Sequence, residues 1–244
     1  MGTSQSHNLK TTPQWSNAKR AMTGIIKTSN GFSSFMGAFL TALGDDGLYR
    51  GGHVGEHHDN KHAFGTAGSK TAIYLLDFIS GVKENGLQEA VNFISQDSGE
   101  TPTNPRELIN FLCAFSSNET DADIDADAAS VAQRKVLSKI FKDCGVLEDV
   151  ETIIQNADED TVDAWIIDFE VEYIIEYQGT LFQSHIFDKA AEPDMVLGQI
   201  RRWLHSQLDD LLSEEMHHIG IFSEEGKQFI DRLTARILDI WKQQ

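Results

Sequence analysis

Residues 69–86 read Ser-Lys-Thr-Ala-Ile-Tyr-Leu-Leu-Asp-Phe-Ile-Ser-Gly-Val-Lys-Glu-Asn-Gly, and this stretch decides the fold class. Ala72, Ile73, Leu75, Leu76, Phe78, Ile79 and Val82 recur at the spacing that stacks side chains on one face of an α-helix. Ser69 is of the residue type that caps a helix start, and Gly86 of the type that ends one. The stretch predicts a helix with its cap at Ser69 and its end at Gly86.

The same period continues toward the C-terminus. Leu87, Ala90, Val91, Phe93 and Ile94 predict a second, short helix. Pro102 and Pro105 bracket a turn, and Pro105 is placed to start the helix carrying Leu108, Ile109, Phe111, Leu112 and Phe115. Asp121, Asp123, Asp125 and Asp127 alternate like the start of a calcium loop, but Ala126 and Ala132 stand where that loop needs Gly and Glu. Calcium is therefore excluded. The acids instead suit the positive end of the helix carrying Val131, Val136, Leu137, Ile140 and Phe141. Leu147 to Ile154 predict another helix, and Val162 to Tyr177 a longer one ended by Gly179. Met195 to Leu212 and Phe229 to Trp241 give two more amphipathic stripes, with His217-His218 in a turn beside Gly220. Strand alternation is scarce, so the expected class is all-α.

Toward the N-terminus, Gly44, Gly47, Gly51, Gly52, Gly55, Gly65 and Gly68 interrupt the pattern. A connection that long and that rich in glycine is expected to be flexible. His53, His57, His58 and His62 lie within it, with Glu56 and Asp59 nearby. These are metal-ligand types, but a glycine-rich loop offers them no preset geometry and no supporting shell. A solvated loop is the preferred reading, with a metal site on these histidines as the alternative, and no cofactor is expected. Before the loop, Trp15, Ala18, Met22 and Ile25 form one helical stripe, and Phe32, Phe35, Met36, Phe39, Leu40 and Leu43 a second. Pro13 stands just ahead, where proline is tolerated. Trp15 reads as a core or docking residue. The expected organisation is a flexible tail over 1–12, N-terminal helices over 13–43, a Gly/His-rich flexible loop over 44–68 and a main helical body over 69–244.

The 244 residues carry 20 basic and 38 acidic side chains, a net charge of −18. Residues 1–70 hold seven basic against four acidic residues, a balance of +3; residues 71–244 hold 13 against 34, a balance of −21. So acidic a body repels phosphate backbones, which argues against direct nucleic-acid binding and for a partner with a basic face. No apolar run reaches the roughly 18 residues of a membrane span, and no secretory leader pattern is present, so a cytoplasmic protein is expected. Cys113 and Cys144 fall in predicted helical segments without Cys-x-x-Cys spacing and read as reduced thiols. No Gly-x-Ser-x-Gly, P-loop, His-Glu-x-x-His or paired Cys/His motif occurs, so no enzyme active site is expected.

The chain opens Met-Gly-Thr-Ser-Gln-Ser. A residue as small as Gly2 normally permits removal of the initiator Met, leaving an unhindered amine. With an α-amino pKa of about 7.7–8.0, roughly a tenth of it is neutral and nucleophilic at pH 7. Gly2 with Ser6 also fits the myristoylation pattern, but a single acyl chain binds membranes marginally, and Lys10, Lys19 and Arg20 are too sparse to assist. No membrane partner is expected.

The start Met1-Gly2-Thr3-Ser4, followed by Pro13-x-Trp15, resembles the opening of the QatB proteins of bacterial Qat anti-phage systems. The later parts are similar too: a glycine-rich interruption, the Phe78-x-x-Gly81 and Gly86-Leu87 of the next helix, a helix around Leu108–Phe115, and an Ile124-Asp125 step into an alanine-rich helix. The chain departs from the pattern where histidines replace Gly/Ser filler in the central loop. The resemblance implies three partners: an ATPase, a TatD-like nuclease and a QueC-like enzyme that activates a 7-deazaguanine carboxylate with ATP. It further implies Gly2 as the amine such an enzyme would acylate. Thr3 and Ser4 would then thread its active site, while Trp15 and the helical body dock on its surface. The competing expectations are an adaptor without covalent chemistry and a metal-dependent enzyme using the four histidines.

Overall fold

A computed structural model describes residues 12–45, 65–95, 101–118, 124–216 and 219–242. The described residues form ten α-helices and no strand. In chain order they are α1 (Pro13–Thr28), α2 (Phe32–Asp45), α3 (Thr66–Asn85), α4 (Leu87–Ser95) and α5 (Pro105–Asn118), followed by α6 (Ile124–Ile140), α7 (Leu147–Asn156), α8 (Glu159–Lys189), α9 (Pro193–Met216) and α10 (Glu224–Lys242). The all-α expectation holds, as do Pro105 at the start of α5 and Gly86 at the end of α3.

The bundle is built around α8. Its 31 residues span about 46 Å at 1.5 Å per residue. Most helices bury a stripe, but α8 buries Ile166, Ile167, Phe169, Val171, Tyr173 and Ile174 around most of its circumference. An apolar surface that wide is satisfied only at the centre of a bundle, and α6, α9, α1 and α3 surround it. Gly179, the expected end of this helix, lies inside it. A helix-interior glycine costs about 1 kcal/mol. One turn further on, Phe182 is fully buried and returns about 2–3 kcal/mol, so continuing the helix wins. Across α6, α8 and α9, Glu172 accepts two bonds from Arg201, at 2.5 and 3.0 Å, and one from Lys135 at 3.2 Å. Burial alone would push the Glu172 carboxyl up, but these two cations hold it below its usual value.

Two expected boundaries move. The Gly/His-rich interruption was expected over 44–68, but Gly44 and Asp45 belong to α2, while Gly65, Ala67 and Gly68 are buried at the start of α3. Ser69 is therefore not a cap. The cap position is Gly65, whose φ of 98° suits glycine and supplies no side chain. Cys144 lies in the turn after α6 rather than in a helix. Residues 1–11, residues 46–64 and the His217-His218 pair fall outside the described residues.

Candidate functional site

The described chain begins at the start of α1. Thr12 is extended, its hydroxyl accepts from the Trp15 N–H at 3.4 Å, and its carbonyl accepts from Ser16 N–H at 3.0 Å. Pro13, whose missing N–H is no loss at this position, is exposed. Trp15 is 1% exposed and packs edge-on against Phe39 at 6.1 Å and against Phe182 at 6.0 Å. Trp15 is thus a core residue, and its reading as a docking residue is corrected: the ring that pins α1 to the bundle is closed to a partner. Gly2, Thr3 and Ser4 lie outside the described residues, as do His53, His57, His58 and His62.

The α1 helix is also tied to α8. His185 Nε2 lies 2.9 Å from Thr23 Oγ1 and 3.1 Å from the Lys19 carbonyl. Burial, then the Lys189 charge, pull this imidazole below its usual pKa, so it makes the contact as the neutral ring at pH 7. A hydroxyl beside an imidazole is a nucleophile–base pairing. Here both groups converge on the Lys19 carbonyl, to which Thr23 donates at 2.9 Å, so the pair acts as a clamp between helices.

At the start of α3 lies a buried polar node. Gly65 N–H donates to Asp125 Oδ1 at 3.1 Å and to the Tyr173 hydroxyl oxygen at 2.7 Å, and Ala67 N–H donates to Asp125 Oδ2 at 2.6 Å. The Tyr173 hydroxyl in turn donates to Asp125. Asp125 was expected to serve the dipole of its own helix, α6. It does stand in the first turn of α6, and its carboxylate also reaches across to α3 and satisfies that helix's first N–H groups. Burial of a carboxylate is tolerated because these bonds and the positive end of α3 replace its water. Burial, then the Asp125 charge, hold the Tyr173 phenol well above its usual pKa, which keeps it a donor. Gly68 completes the node: a Cβ there would fall 2.4 Å from Tyr173 Cε1, so only a hydrogen fits under the ring.

On another face, α3, α4 and α10 enclose a groove of about 660 Å³. Tyr74 and Phe115 meet edge-on in its wall at 5.4 Å, and Phe222 and Ile94 extend the apolar lining. Asp77, Glu84 and Glu89 supply the charge, against one lining cation, Lys227. Lys227 Nζ sits 2.6 Å from Asp77 Oδ1, and that bond pushes its pKa up. Phe93 stands on the rim, 79% exposed. Sequence reasoning placed Phe93 with the apolar stripe of its helix and so missed it. Leu87, Ala90, Val91 and Ile94 share one face, whereas Phe93 projects roughly 100° away at 3.6 residues per turn, a signal present in the sequence.

The thiols offer little reactivity. Cys113 is buried, and desolvation pushes its thiol up to about 11. Cys144 is also raised, by burial first and then by Asp149 and Asp143. Among the described residues no group of three or more His, Cys, Asp or Glu is placed to hold a metal ion, and no helix is long and apolar enough to cross a membrane. Compared with protein-family models, curated proteins and solved structures, the chain matches none.

Proposed function

We propose that this chain is a non-catalytic, QatB-like component of a bacterial anti-phage defence system, acting in the cytoplasm as the protein substrate of a QueC-like enzyme. The observation that supports the reading is the capped start of α1 and its short distance along the chain from Gly2. Thr12, the half-buried cap of α1, stands ten residues after Gly2, and the adjoining Pro13 is exposed. Ten residues span at most about 35 Å. That distance is enough for Gly2, Thr3 and Ser4 to enter the active site of an enzyme seated against the body. In the reaction, the lone pair of the neutral Gly2 amine attacks the acyl carbon of the ATP-activated 7-deazaguanine carboxylate. The amide C–N bond forms, the C–O bond to the ATP-derived leaving group breaks, and the surplus amine proton passes to solvent.

The test is intact mass, with N-terminal peptide mapping, of the chain expressed alone and beside the QueC-like enzyme. A mass increase matching the deazaguanine amide and localised to Gly2 is expected only in the second sample. Gly2→Pro replaces the primary amine with a hindered secondary one and is expected to abolish the increase. Undiminished conjugation in that variant, or an unmodified Gly2 beside the enzyme, removes the substrate reading.

The groove favours a second reading: an adaptor that recruits the defence ATPase and the TatD-like nuclease without covalent chemistry. Deletion of residues 1–8 separates the two. An adaptor retains its partners and its protection against phage after the deletion, whereas a substrate loses its protection.

A further inference from the structure

We propose that the groove between α3, α4 and α10 docks a cationic segment with apolar anchors, presented by a partner protein. The inference stands whether or not Gly2 is acylated. Four observations converge on it. The groove wall is aromatic, with Tyr74 and Phe115 already packed against each other, so it presents a preformed apolar surface. Its charge is one-sided: Asp77, Glu84 and Glu89 face a single lining cation, and Lys227 is already engaged by Asp77. The surrounding chain carries −18, which draws a basic partner toward this face and repels an acidic one. Finally, Phe93 stands 79% exposed on the rim of the groove, turned away from the buried face of α4.

The volume lies within the range of small-molecule pockets. However, a small ligand seated in the groove leaves Phe93 in water, whereas a polypeptide lying along α4 covers it. An exposed aromatic beside an apolar pocket is the usual composition of an interface anchor. The acids then set orientation and association rate, and the aromatics supply most of the binding energy.

A labelled synthetic amphipathic helix, with leucines on one face and lysines on the other, is titrated into the full chain and followed by fluorescence anisotropy. Two controls accompany it: a scrambled peptide of the same composition, and one with every lysine changed to glutamate. Saturable binding is expected for the amphipathic lysine peptide alone, and it should weaken as salt is raised. Phe93→Ala is expected to weaken it about tenfold, on the scale of an interface hot spot. Glu84→Gln with Glu89→Gln should weaken it by a similar factor. All three positions are exposed, so the variants should keep wild-type helicity and unfolding midpoint. Equal binding of the scrambled peptide would reduce the effect to charge adsorption and overturn the proposal. So would unchanged affinity in both variants. A wild-type chain that sediments as a dimer and becomes monomeric on Phe93→Ala would overturn it in another way, by assigning the groove to a second copy.

Discussion

At the corner where α1 and α2 meet α8, Trp15, Phe35, Phe39, Tyr177 and Phe182 meet ring to ring, and none is more than 2% exposed. At the corner where α3 meets α4 and α5, Tyr74 packs edge-on to Phe115, but Phe93 stands in solvent. Aromatic content does not separate these two places; coverage does. At the first, a helix of 31 residues runs past the cluster and supplies Tyr177 and Phe182 from successive turns. At the second, α4 has nine residues, enough to bury Leu87, Ala90 and Val91 but not to close over its other faces. A closed aromatic cluster stabilises the fold, whereas an open one is left with surface that a partner can cover.

The largest expected effect breaks the closed corner. Trp15→Ala removes a fully buried indole and its contacts with Phe39 and Phe182, leaving a cavity that rigid neighbours fill only in part. Large aromatic-to-alanine changes in cores cost about 3–5 kcal/mol, and about 4 kcal/mol is expected here. Urea unfolding followed by circular dichroism measures it. A loss under about 1 kcal/mol would mean that α1 is not fastened by this ring.

A smaller loss is expected from Gly68→Ala, on α3, where that helix packs against α8. The new methyl would meet Tyr173 ring carbons at 2.4 to 2.8 Å. Tyr173 cannot swing aside without breaking its bonds to Gly65 and Asp125. Overpacking of this kind costs about 1–3 kcal/mol, and the pinned ring places the expectation near the upper end. The check is the same denaturant series. If the variant proved as stable as the parent, Tyr173 would be free to move and the node would not be what fixes the start of α3.

These two positions also mark where the sequence could be read and where it could not. Trp15 falls on a helical stripe with Ala18, Met22 and Ile25, so its place in a core follows from local spacing. Pro105 and Gly86 likewise act within one turn of themselves. Gly68 and Asp125 act through partners far along the chain: Asp125 bonds a backbone amide 58 residues away, and Gly68 accommodates a ring carried on α8. Local spacing holds no record of such a partner. Local spacing therefore makes Gly68 a loop glycine and Ser69 a cap, and it places Asp125 correctly in the first turn of α6 without revealing its bonds to α3. Gly179 misled for the same reason, since the burial of Phe182 that carries α8 past it is a tertiary effect. Of the candidate site, the residues singled out for chemistry, Gly2 and the four histidines, lie outside the described part. The groove came into view only when α3, α4, α5 and α10 were brought together.

The smallest effect sharpens the comparison most. Phe93→Ala removes as many aromatic atoms as a core substitution would, yet is expected to change stability by no more than about 0.5 kcal/mol. Most of the Phe93 ring is already in water, so little burial is lost, and alanine is the better helix former by a few tenths of a kcal/mol, which opposes what loss there is. The expected sign is slightly toward stabilisation. An aromatic whose removal leaves the fold untouched has no structural reason to stand on that rim. If Phe93→Ala instead cost 2 kcal/mol or more, the ring would have to be buried in the folded protein, the two corners would be finished alike, and the groove would lose its anchor.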